Sequence, residues 1–64
     1  MPIVEMTLIQ GRSYEQKAAA VKAVTNALVE TLGAPIESVR IIIREIPAEN
    51  FAVAGVLKKS PPSP

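Results

Sequence analysis

Along the chain, the spacing of apolar residues switches from alternate positions to a helical repeat and back. In residues 2–9, Val4, Met6 and Leu8 fall on one side of an extended segment. Ile3, Glu5, Thr7 and Ile9 fall on the other. This alternation predicts a strand with one apolar face and one mixed face. Pro2 is compatible with it, because the first position of a strand need not donate to a ladder. Gln10, Gly11 and Arg12 interrupt the pattern, and Ser13 with Gln16 three residues later has the spacing of a capping box. Over residues 14–32 a stripe of apolar residues runs through positions 20, 21, 24, 27, 28 and 32, with Thr31 among them. Glu15, Lys22, Asn26 and Glu30 lie opposite. The prediction is an amphipathic helix about 28 Å long at 1.5 Å per residue. Gly33 suits the left-handed residue that closes a helix, and Pro35 forbids its continuation.

Residues 39–46 return to alternation, Val39, Ile41 and Ile43 against Arg40, Ile42 and Arg44. Their β-branched content favours a strand. Strand, helix and strand in this order predict a right-handed crossover with parallel pairing. One helix can cover one face of such a sheet. The other face, with Ile3, Ile9, Ile42 and Ile46, then needs a second subunit. Residues 47–50 read as a loop, and residues 51–57 as a short hairpin or edge strand. Residues 58–64, Lys-Lys-Ser-Pro-Pro-Ser-Pro, read as a disordered tail. The expected fold class is α/β (α+β), a single β-α-β unit over residues 1–57.

Composition sharpens this picture. The chain has 64 residues, 48% of them apolar, and neither cysteine nor histidine. A domain this small buries only about 60% of its unfolded surface on its own. Disulfides are excluded and an ordinary zinc site is disfavoured. Oligomerisation is the remaining way to cover the surplus apolar surface. A net charge of +1 and two aromatic residues, Tyr14 and Phe51, argue against nucleic-acid binding. No apolar run reaches the roughly 20 residues of a membrane span. No basic stretch precedes an apolar run at the N-terminus, so the expectation is a cytoplasmic protein.

Glycine-rich phosphate loops, metal clusters and Ser-His-Asp sets are all missing. The notable acid–base candidate is the chain's own amine. Met1 precedes Pro2, and an initiator Met before a small residue is normally removed. Removal leaves a prolyl secondary amine at the start of a strand. An α-amine has an ordinary pKa of about 7.7–8.0. Burial and nearby cations both disfavour its protonated form, which would make it a base matched to neutral pH. Arg12, beside the helix N-terminus, and Arg40, at the second strand, offer planar forks for carboxylates, the alternative being that both are solvated surface charges or rim ion pairs. Arg44 and the lysines carry nothing that distinguishes them from solvated surface charges.

Taken in order and spacing, these residues resemble the 4-oxalocrotonate tautomerase family. They are Pro2-Ile3, then Gly11-Arg12-Ser13 with Gln16-Lys17, then Ala34-Pro35, Ser38-Val39-Arg40 and Glu45, and last Phe51 with Gly55. The resemblance implies β-α-β protomers that pair into dimers with a four-stranded sheet, three dimers making a hexamer. It implies keto–enol tautomerisation of small unsaturated 2-hydroxy or 2-oxo carboxylates such as 2-hydroxymuconate, with no cofactor and no metal. Carried over by position, Pro2 would be the base. Arg12 would hold the far carboxylate. Arg40 of a neighbouring subunit would polarise the 2-oxygen and bind the near carboxylate. Phe51 would form an apolar wall, and the main chain at Ile9 would help to order the substrate. Two departures stand out. Ala52 and Ala54 occupy positions where the family often has glycine, and an alanine forced to positive φ there would be strained. Val53 stands where related dehalogenases place an acid to activate water, which argues against hydrolytic dehalogenation. The alternative reading is a non-catalytic oligomeric assembly protein of the same fold.

Overall fold

The computed structural model describes residues 1–58. Strand β1, Ile3–Ile9, pairs in parallel with strand β2, Arg40–Ile46. The register runs from Ile3 opposite Arg40 to Ile9 opposite Ile46. Gln10 N–H extends the ladder by donating to Ile46 O at 2.9 Å. Helix α1, Tyr14–Leu32, makes the crossover. The predicted capping box is complete. Gln16 N–H donates to Ser13 Oγ at 3.1 Å, and Ser13 N–H donates to Gln16 Oε1 at 2.9 Å. Gly33 closes the helix at φ 70°, its N–H reaching Val29 O at 3.1 Å. Strand β2 starts one residue later than the alternation predicts. Val39 N–H is taken by Ile36 O at 3.2 Å, the closing bond of a 3₁₀ turn over Ile36–Ser38, so it does not join the ladder.

Val4, Met6 and Leu8 on β1 and Ile41 and Ile43 on β2 are half-buried on the helix-covered face. A Lys17–Glu45 ion pair of 3.0 Å ties α1 to that face. The packed stripe of the helix, Val21, Val24, Thr25, Leu28 and Val29, is rotated from the predicted one. It shares Val21, Val24 and Leu28 with the prediction. Ala20, Ala27, Thr31 and Leu32 are exposed. Two strands are narrower than the apolar arc of the helix, so only the residues directly above them are covered.

The opposite face carries a Glu5–Arg44 ion pair flanked by Ile3 and Ile42, which are 59% and 44% exposed. Nothing among the described residues covers it. Among the described residues only Ala48 is buried. It lies in a second 3₁₀ turn, Ala48–Asn50, which leads into the hairpin. No helix among the described residues is long and apolar enough to cross a membrane.

Strands β3, Ala52–Val53, and β4, Val56–Leu57, form the predicted hairpin, antiparallel, with Val53 opposite Val56. Lys58 N–H donates to Phe51 O at 2.7 Å and closes it. The rest of the proline-rich segment expected from residue 58 lies outside the described residues. The two turn residues, Ala54 and Gly55, have φ of 52° and 82°. Positive φ at both central residues is the type I′ pattern, which matches the twist of paired strands. Of the two alanines at family glycine positions, Ala54 is therefore the strained one, and Ala52 sits in β3 without positive φ.

The left-handed region costs a non-glycine residue about 1–2 kcal/mol, while glycine adds about 0.4–1 kcal/mol of unfolded-state entropy. The difference favours glycine. Ala54→Gly should therefore stabilise the protein by roughly 0.5–1 kcal/mol, read as a higher urea midpoint at fixed protein concentration. A lower midpoint would show that the turn carries no such strain.

Candidate active site

The residues singled out by the sequence fall at the two ends of the β1–β2 sheet. Pro2 lies just before β1 and is half-buried. Its carbonyl accepts from Arg40 N–H at 3.0 Å, so Pro2 and the start of β2 are fastened together. Met1 beyond it is 80% exposed. The Arg40 guanidinium rests on main chain: Nη1 donates to Glu37 O at 2.6 Å and makes a longer contact of 3.4 Å to Val39 O. The turn that presents these carbonyls is closed by Ser38, whose Oγ donates to Pro35 O at 2.7 Å.

Ile9, Arg12 and Phe51 gather at the other end. Gly11, at φ 133°, lets the chain turn sharply out of the ladder. Arg12 then folds back, and its Nη1 donates to Ile9 O at 3.2 Å. Phe51, just past the Ala48–Asn50 turn, faces the same cleft of about 320 Å³. Thr7, Leu8 and Ile46 also line it. The sequence carries no functional signal for these three. The strand register, with Ile9 opposite Ile46, is what brings them there. A guanidinium at the mouth of a largely apolar cleft suits a small carboxylate with an apolar or unsaturated body. A larger cleft of about 510 Å³ lies between α1 and β2, over Val21 and Ile43. It contains none of the residues expected to carry chemistry.

One chain therefore brings Pro2 together with Arg40, and Ile9 together with Arg12 and Phe51, but keeps the two groups apart. Strand β1 separates them by seven residues, roughly 23 Å at about 3.3 Å per residue. No side-chain motion closes that gap.

Comparison with known proteins agrees with the fold. Residues 2–60 match the tautomerase family, described as tautomerase enzymes. A 2-hydroxymuconate tautomerase of Comamonas testosteroni is 48% identical over 59 residues, covering 92% of this chain and 94% of its own. A 4-oxalocrotonate tautomerase isozyme of Methylibium petroleiphilum superimposes with a TM-score of 0.85 at 48% identity, covering 88% of each chain. A heterohexameric 4-oxalocrotonate tautomerase of Chloroflexus aurantiacus superimposes equally well, with a TM-score of 0.85 at 35% identity, over 89% of this chain and 92% of its own. With its β-α-β crossover, its capping box and a match that spans nearly its whole length, the chain belongs to the tautomerase family.

Proposed function

We propose that this protein is a keto–enol isomerase of small unsaturated 2-hydroxy carboxylates, with 2-hydroxymuconate as the model substrate and the Pro2 amine, freed by removal of Met1, as its base. The observation that carries the reading is the division of the candidate residues between the two ends of one strand, with a carboxylate-sized cleft at one of them. In the proposed reaction the neutral prolyl nitrogen takes the proton of the enol hydroxyl. The double bonds shift, and the resulting ammonium returns the proton to a carbon further along the conjugated chain. The substrate is neither oxidised nor reduced, so no redox partner is required.

The site is proposed to be shared between copies. Among the described residues, the outer edge of β1 is unpaired. A second copy lying antiparallel along that edge sets its Ile9–Arg12 end beside the first copy's Pro2. Arg12 then holds the far carboxylate and Phe51 walls the amine. The Ile9 carbonyl, already an acceptor for Arg12, orders that arginine and the main chain around the substrate. Arg40 of a further neighbour polarises the 2-oxygen and binds the near carboxylate. The guanidinium groups and the apolar wall both disfavour protonation of the amine. The uncovered face with Ile3 and Ile42 supports assembly, and we propose a homohexamer built as a trimer of dimers. The heterohexameric Chloroflexus relative supports that choice.

In the form lacking Met1, activity on 2-hydroxymuconate should fall by about tenfold for each pH unit below the pKa of the amine, because only the neutral form accepts the proton. Pro2→Ala should lose about a hundredfold in kcat/KM, and protein that keeps Met1, identified by its mass, should be inactive because its Pro2 nitrogen is an amide. Full activity in either case rejects the proposed base. Co-assembly of Pro2→Ala chains with Arg12→Ala chains should regain about a quarter of wild-type activity, since in a randomly mixed symmetric oligomer that share of sites draws both residues intact. A mixture no more active than its components would mean that Pro2 and Arg12 do not meet across an interface.

A further inference from the structure

The Lys17–Glu45 ion pair lies near Arg12, and the proposed chemistry gives it no part. Lys17 lies one turn into α1, and Glu45 is the next-to-last residue of β2, on the helix-covered face. Their charged atoms are 3.0 Å apart, and the side chains retain only 27% and 30% of their exposure. A pair this shielded is screened less by solvent and salt than an open surface pair.

Its position gives it more than a role in holding the helix down. Arg12 sits in the short connection between the last bond of β1 and the first turn of α1. The strand side of that connection is fixed by Gln10 N–H on Ile46 O, at 2.9 Å. The helix side is fixed by Lys17 on Glu45, while the capping box of Ser13 and Gln16 makes the first turn rigid between them. Both ends of the connection are thus fastened to adjacent residues, Glu45 and Ile46. The Arg12 guanidinium projects from it onto Ile9 O.

We propose that Lys17 and Glu45 are a positioning pair for Arg12, and that their bridge sets the enzyme's preference for substrates with a second, distal carboxylate. This rests on the assignment of Arg12 to that carboxylate. The pair touches no substrate. It fixes the first turn of α1 against β2 and so fixes where the guanidinium stands, and displacements of about 1 Å at a binding group cost large factors. Breaking the bridge lets the turn lift and the guanidinium drift, while Pro2 and Arg40 are held through separate bonds at the far end of the strand.

The test compares two substrates on the protein lacking Met1. 2-Hydroxymuconate has the distal carboxylate. Phenylenolpyruvate has a phenyl ring in its place. Glu45→Gln should raise KM for 2-hydroxymuconate by about tenfold, with kcat held within about twofold and KM for phenylenolpyruvate unchanged. Lys17→Glu should do the same, and the exchanged pair Lys17→Glu with Glu45→Lys should restore the wild-type KM. An equal rise in KM on both substrates, or no rescue by the exchange, overturns the proposal while leaving the tautomerase reading intact. So does loss of folded protein in both single variants by circular dichroism, which would make the bridge a brace for the fold alone. Wild-type protein inactive on both substrates removes the tautomerase reading, and this proposal with it.

Discussion

A two-stranded sheet has two faces, and the described residues supply one α-helix with which to cover them. That constraint governs everything else in the molecule. The helix shelters Val4, Met6, Leu8, Ile41 and Ile43 only in part, and among the described residues Ala48 alone is buried. The reverse of the sheet presents isoleucines around a Glu5–Arg44 pair. A chain built this way buries little of its apolar surface on its own, which leaves its stability marginal. The same shortage shapes the proposed chemistry. In the proposed assembly a second copy closes over the cleft at Arg12 and turns it into an enclosed site.

Both arginines proposed to bind substrate already rest on main-chain carbonyls, Arg12 on Ile9 and Arg40 on Glu37. An arginine side chain free in solvent has about 2 kcal/mol of rotamer entropy to lose on binding. Here part of that cost is met during folding. The supports are local. Gly11 aims the Arg12 connection, and the Ser38 hydroxyl holds the turn beneath Arg40. These are positions where the backbone fixes the side chain's direction before any ligand arrives.

Much of this was legible in the residue pattern, and the exceptions have physical causes. The period of 2 in residues 2–9 and 39–46, the Ser13–Gln16 spacing, and Gly33 with Pro35 determine elements through local stereochemistry. All of these elements are present. The helix face was displaced because the sequence shows which residues are apolar, not how wide a surface they will meet. The start of β2 moved because Val39 N–H had a nearer acceptor in Ile36. Pro2, Arg12 and Arg40 could be named from the chain, and Phe51 and Ile9 from the family resemblance. Their separation into two groups could not, because it follows from strand direction and length. The Lys17–Glu45 bridge joins residues 28 apart, and no local period encodes such a pair.

Met1 stands almost free of the fold, with Pro2 half-sheltered behind it. If the amine of residue 2 is the reactive group, the enzyme is finished by a peptidase and not by folding. Its amino end then tolerates no addition. An affinity tag, a leader left uncut or an upstream fused domain would convert the basic nitrogen into an inert amide while leaving every strand and helix in place. For such a protein, a well-folded preparation is no guarantee of a working one, and tags belong at the carboxyl end.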